Sequence, residues 1–273
     1  MTASVETRPG WGALVRDRFV VEVKDFTRSR EQMIFIFFFP LILLVLLNAM
    51  LGDQMIEDTA ISFTQYLLAG MIASGIFYTG FQSPAMAIAI DRDLDLLKRI
   101  RATPLPASAF FVGKIAQVFA VSVVQMFMLL AVGRFAYDIT LPTEASKWLT
   151  FGWVFVLAVA SSTALGIAVS SILRNGKAAS AILTPAVLAL QFISGVFYVY
   201  TALPLALQRI AEFFPLKWIA QGMRSVFLPD SFAVAEARGS WEHPATAAVL
   251  FVWLLVGLAV AIRTFRWQRA DDR

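Results

Sequence analysis

Along this chain, long stretches without a charged residue alternate with short segments in which charges crowd together. Six uncharged stretches stand out: residues 32–52, 59–90, 115–133, 148–173, 178–208 and 244–262. A helix rises about 1.5 Å per residue and needs about 20 residues to cross about 30 Å of hydrocarbon, so each stretch predicts a membrane-spanning helix. The second, at 32 residues, would be about 48 Å long. It is expected to break or emerge near Ser83-Pro84 and to carry Asp91 clear of the bilayer. The fifth holds Pro185 and Gly195 and is expected to end near Tyr200. Residues 201–242, interrupted by Pro204, Pro215 and Pro229, would then fold back into the outer leaflet. Ahead of the first span, Trp11, Leu14, Val15, Phe19, Val23 and Phe26 recur at helical spacing, with Arg16, Asp17, Glu22, Lys24 and Asp25 around them. That pattern predicts an amphipathic helix over 11–30, lying in the headgroup plane with its apolar stripe in the acyl boundary.

Composition supports lipid as the solvent. The chain is 59% hydrophobic and 15% charged, against roughly 45–50% and 25% in soluble domains. Its 273 residues hold too little polar sequence to wrap six apolar helices in water. The expected fold is therefore all-α and integral to the membrane, one domain over 1–273. Residues 1–31 carry eleven charges, which argues against a cleaved signal peptide. With the N-terminus in the cytoplasm, 17 of the 23 Lys and Arg fall inside and six outside, so both termini are expected to be cytoplasmic in a plasma membrane. The same bias accounts for a pI near 9.6 without nucleic acid.

The chemistry on offer is narrow. With no Cys and one His, disulfides, thiol chemistry and multi-histidine metal sites are excluded. His243 reads as an interfacial residue. No GxxxxGK[ST], HExxH or nucleophile elbow occurs, so the chain is not expected to be an enzyme. None of the six runs contains a charged residue; Lys114 stands at the mouth of the third and can snorkel. Ion-coupled transporters place such groups in their spans, so a stand-alone secondary transporter or channel is the weaker reading. Asn48, Gln65, Gln82, Gln125 and Gln191 are left to glue helices or to meet cargo. Gly70, Ala73, Ser74 and Gly80, with Ser161, Ser162, Ala164, Gly166 and Ala168, permit close packing within the chain or between subunits. Phe197, Tyr198, Tyr200, Phe213, Phe214 and Trp218 suit an aromatic belt or an external gate.

Between the second and third runs stands Asp91-Arg92-Asp93-Leu94-Asp95-Leu96-Leu97-Lys98-Arg99-Ile100-Arg101-Ala102-Thr103-Pro104-Leu105-Pro106. Acids lead and bases follow, matching a helix dipole over 91–103, and the two prolines stop the helix. This loop resembles the signature region of permeases in the ATP-binding-cassette type-2 exporter family. It keeps Asp91-Arg92-Asp93, Leu97, Arg99-Ile100 and Thr103-Pro104-Leu105, and departs at Asp95-Leu96 and Lys98, where the family has Gly-Thr and an acid. Phe213 to Trp218 with Gln221-Gly222-Met223-Arg224 is similar to the segment preceding the family's last span. Among its subgroups, the chain resembles the daunorubicin-resistance permeases. The resemblance implies six transmembrane helices, a cytoplasmic coupling helix at 91–103 and an external helical insertion before the last span. It also implies docking of two ATPase subunits through Asp91, Arg92, Asp93, Leu97, Lys98, Arg99, Ile100, Arg101, Thr103 and Pro104, beneath the helix bearing Trp11, Val15, Phe19, Val23 and Phe26. A second permease chain would complete the assembly. ATP and magnesium would sit on the partner ATPase, with no cofactor on this chain. The function implied is export of an amphipathic drug, lipid or lipid-linked molecule.

Overall fold

The computed structural model describes residues 10–52, 54–56, 59, 61–173 and 175–264. The chain termini, Arg174 and the acids Asp53, Glu57 and Asp58 of the loop after the first span lie outside them. The described chain is an all-α integral membrane fold. In order it forms α1 (Trp11–Arg28), α2 (Arg30–Leu51), α3 (Phe63–Phe77), a π turn (Tyr78–Gln82), α4 (Ser83–Asp93) and α5 (Leu96–Arg101). There follow α6 (Ala107–Tyr137), α7 (Ala145–Ser170), α8 (Gly176–Ile193), α9 (Leu205–Phe213), α10 (Pro215–Phe227) and α11 (His243–Thr264). Helices α2, α6, α7, α8 and α11 are each long and apolar enough to cross a membrane.

The second apolar run differs from expectation in how it bends. It stays helical through Ser83-Pro84, as α3, the π turn and α4 in succession. The amide of Ser83 bonds to the carbonyl of Tyr78, five residues back. This wide turn accommodates Pro84, which has no N–H to return to Gly80. The fifth span also ends earlier than expected, at Ile193 rather than near Tyr200. Gly195 adopts φ +71° just beyond it, the left-handed conformation that terminates helices.

Helix α3 forms the centre: every residue from Phe63 to Phe77 except Gln65 is buried. The small residues of the second and fourth spans meet within the chain. A β-carbon on Gly80 would lie 2.7 Å from Cβ of Ser162, and one on Gly166 would lie 2.4 Å from the carbonyl oxygen of Phe81. Helix α11 packs on α7 in the same manner: a β-carbon on Gly257 would lie 2.8 Å from the backbone of Ala164 and Leu165. Large side chains there would hold the backbones apart and forfeit the dispersion contacts that join helices in lipid.

Four of the five span amides and glutamines bond to another helix. Thr64 donates to Asn48, Gln65 Nε2 to the Phe227 carbonyl at 2.8 Å, and Gln82 Nε2 to Thr184 Oγ1 at 3.1 Å. Gln125 answers a specific need. Pro40 lies inside α2 and cannot bond to the carbonyl of Ile36, and Gln125 Nε2 donates to that carbonyl at 2.5 Å. Its Oε1 accepts from Thr79 of the π turn at 3.2 Å. Gln191 is also buried, but its amide oxygen has no hydrogen-bond donor among the described residues.

Gln125→Leu is expected to cost about 1–3 kcal/mol, because it orphans the Ile36 carbonyl. Gln191→Leu should be neutral or slightly stabilising. Melting temperatures of the two variants in the same detergent check the contrast.

Candidate functional site

The resemblance places function at the end of the bundle bearing α1 and α5. There the structure forms an elbow rather than one helix over 91–103. Asp91, Arg92 and Asp93 complete α4, Leu94 and Asp95 turn the chain with Asp95 at φ 56°, and α5 is only six residues long. An aspartate tolerates that left-handed conformation better than most residues.

The elbow grips two spans. Arg92 is buried and donates through Nη1 to the carbonyls of Ser170 at 2.8 Å and Leu173 at 3.3 Å, where α7 ends. Asp93 Oδ2 accepts from the amide of Gly176 at 2.8 Å, where α8 begins. A cation thus meets a helix C-terminus and an anion a helix N-terminus, as the macrodipoles favour. These two expected docking residues therefore face inward and hold the α7–α8 junction.

The rest of the expected set divides. Leu97 is fully buried with Ile88, Phe110, Phe111, Ile167, Ala168 and Ala261, and Ile100 packs beside it. Leu94 is 62% exposed. Lys98 pairs with Asp95 at 3.1 Å. Arg99, Arg101, Thr103 and Pro104 are exposed. A cavity of about 360 Å³ separates α5 from α1, lined by Val21, Lys24, Arg28, Leu96 and Arg99.

Helix α1 turns its stripe toward α6 and α2. Phe26 is buried with Ile36 and Val121, Val15, Phe19 and Val23 are half-buried, and Trp11 is exposed, its Nε1 donating to Ser108 Oγ at 3.2 Å. Hydropathy assigned Glu22 to the polar side, yet it is buried on the packed face. It accepts from Arg18 and from Lys114 at 2.7 Å, so Lys114 is a buried partner and does not snorkel. Burial pushes the Glu22 carboxyl up, but Lys114 and Arg18 outweigh it and hold the group below its ordinary value. Burial raises the nearby Asp91 carboxyl; Lys114 opposes the shift and Glu22 reinforces it.

At the opposite end, the insertion carries a second charge cluster that the apolar runs gave no reason to expect. Every residue of α10 is buried, including Lys217, Gln221 and Arg224. Arg224 forms a two-pronged pair with Glu236 at 2.6 and 3.1 Å and donates to the Gly195 carbonyl at 3.0 Å. Although burial opposes its charge, Glu236 holds the guanidinium above its ordinary value. Lys217 lies 3.8 Å from Glu242 and 3.5 Å from the centroid of a Trp218 ring. Burial pushes this ammonium down to about 8, against the pull of Glu242 and Glu236. The readable signal was the i, i+4, i+7 spacing of Lys217, Gln221 and Arg224, which puts three polar groups on one helix face.

The six aromatic residues expected as a belt or gate do not share one environment. Phe197, Tyr200 and Trp218 are buried, while Tyr198 and Phe213 are exposed and Phe214 is half-buried. Tyr200 donates to the Gln208 carbonyl at 2.7 Å and Trp218 to that of Glu212 at 2.7 Å. Phe213 meets Trp253 edge-on, and Trp253 Nε1 donates to the Phe213 carbonyl at 2.9 Å. Since Trp253 is ten residues beyond His243, the insertion reaches about 15 Å along the last span.

Glu236→Gln, which leaves Arg224 buried without its carboxylate partner, is expected to cost about 3–5 kcal/mol. Lys217 provides a pH test. Its ordinary value is 10.5 and its native value about 8, so between these limits the unfolded chain binds the extra proton and stability rises with pH. The melting temperature of the unsubstituted protein, measured against Lys217→Met, should therefore gain from pH 8 to 10.5.

Residues 19–228 match the model of a family described as ABC-2 type transporter. No curated protein matches the chain.

Proposed function

Because the chain belongs to the ABC-2 type transporter family and is thereby a permease component of an ABC transporter, we propose that it serves an ATP-driven exporter. Its cargo in this reading is an amphipathic drug, lipid or lipid-linked molecule, moved out of the cytoplasm or inner leaflet. The observation that carries the proposal is the two-sidedness of α5. Leu97 is rooted in the core beside the ends of four spans, while Arg99 and Arg101 project outward. A helix so built transmits a push on its exposed side to the spans behind it.

Two ATPase subunits would bear on the Arg99, Arg101, Thr103 and Pro104 surface and on the cavity beside α1, supplying ATP and magnesium. A second permease chain, identical or related, would complete the pathway. The exposed apolar residues of α2, among them Phe38, Ile42, Leu46 and Met50, are available to lipid or to that partner. Energy would enter at the elbow because the described spans carry their charges at their ends rather than along a central path.

Gentle-detergent purification from the native membrane, followed by mass determination, should recover two permease chains with a P-loop ATPase. Recovery of this chain alone, active under an ion gradient, would overturn the proposal. Arg99→Glu with Arg101→Glu should lower ATPase recovery about tenfold, as expected for charge reversal at a docking surface, while the permease still reaches the membrane. A reporter fused after Arg273 should read cytoplasmic; an external reading would invert the topology.

A further inference from the structure

The cluster of Arg18, Glu22 and Lys114 has more structure than an anchor for an interfacial helix requires. Glu22 is the shared acceptor: Arg18 reaches it from one helical turn earlier on α1, and Lys114 from α6 at 2.7 Å. All three side chains are at most 10% exposed. Asp91, from the end of α4, opens on the same cavity as Arg18 and Glu22. Two cations and two anions from three helices therefore meet behind the exposed surface of the elbow.

The surrounding contacts make this junction stiff. A β-carbon on Gly113 would lie 2.7 Å from Cγ of Arg18 and 3.3 Å from the backbone nitrogen of Phe19, so α1 rests on the main chain of α6. The Arg18 guanidinium lies 4.5 Å from the centroid of the Phe110 ring. Farther along, Phe26 packs with Val121. Apolar packing alone would permit α1 to slide or rotate on α6. A buried ion pair is directional, and removal of one partner leaves an uncompensated charge, so it defines one register at the expense of stability.

We propose that Glu22 is a positioning residue for energy coupling: its pair with Lys114 makes α1 and α6 move as one body. This inference rests on the ATP-coupled reading and adds a route to it. In that reading the elbow passes motion to α7 and α8 through Arg92 and Asp93, while α1 passes it to the third span through Glu22. The second route acts on α6 without passing through α5.

The chain contains no cysteine, so a single Phe135→Cys substitution makes a clean reporter. Phe135 is 87% exposed and lies near the far end of α6, 21 residues from Lys114. The complex purified with its ATPase is labelled with a membrane-impermeant maleimide, without nucleotide and after trapping with ATP and vanadate. In the otherwise unsubstituted complex the labelling rate should change about fivefold on trapping, within the usual range of coupling between sites. Glu22→Gln should abolish that change while ATP hydrolysis continues, and the charge exchange Glu22→Lys with Lys114→Glu should restore it. A full response in Glu22→Gln would overturn the proposal. So would failure of Glu22→Gln to assemble when the exchanged pair assembles and responds, because the pair would then serve assembly alone. Lack of restoration in a correctly assembled exchange variant would also overturn it. A Phe135→Cys complex that hydrolyses ATP yet shows no response before any change at Glu22 would overturn the proposal while leaving the ATP-coupled reading intact. If no ATPase accompanies the chain, that reading fails first.

Discussion

Inside hydrocarbon a carbonyl that loses its helical partner has no water to turn to. Pro40 creates such a carbonyl at Ile36, and the way it is satisfied organises contacts among three spans. Gln125 crosses from α6 to supply the missing donor while its oxygen receives Thr79 from the π turn. It can cross because Gly75 leaves room: a β-carbon there would lie 2.7 Å from Gln125 Oε1. One proline, one glutamine and one glycine thus tie α2, α6 and the second span together. The close approaches of Gly80 to Ser162 and of Gly257 to α7 extend the same compact arrangement outward from α3.

Charge is handled differently at the two ends. At the elbow, Arg92 and Asp93 are spent on helix termini, and Glu22 binds two cations across α1 and α6. At the insertion, Lys147 caps the end of α10 through the carbonyls of Ser225 at 2.9 Å and Leu228 at 3.3 Å, and Arg224 joins α10 to Glu236 and Gly195. Arg92, Asp93 and Lys147 sit where helices begin and end, whereas the Glu22 and Arg224 pairs join one element to another. The groups left exposed on the elbow, chiefly Arg99 and Arg101, are the ones free to meet another protein.

The spans were legible because crossing hydrocarbon imposes both length and freedom from charge, and those two demands leave long runs behind. The elbow was legible as a place but not as a shape. Acids before bases suggested one helix over 91–103, whereas the left-handed turn at Asp95 divides it and Arg92 and Asp93 turn to the ends of α7 and α8. Glu22 was misplaced for a related reason: hydropathy ranks a glutamate as polar wherever it stands, whereas Arg18 and Lys114, the latter 92 positions away, make its burial tolerable. The burial of α10 was hidden in the same way, since the partners of Lys217 and Arg224 lie beyond its own sequence. The small residues gave the opposite case. They announced close packing in advance, and the fold supplied the partner, which is the same chain.

The π turn has a consequence for the elbow that its local geometry does not reveal. A helix advances about 100° and 1.5 Å with each residue. One residue fewer between Tyr78 and Gln82, with ordinary helical winding restored, would rotate α4 by about that angle and draw it back by about that distance. Arg92 would then point away from the end of α7, and Asp93 away from the start of α8. The additional residue therefore sets the phase of the second span: a local irregularity near the middle of the bundle determines the direction in which its tip at the elbow faces.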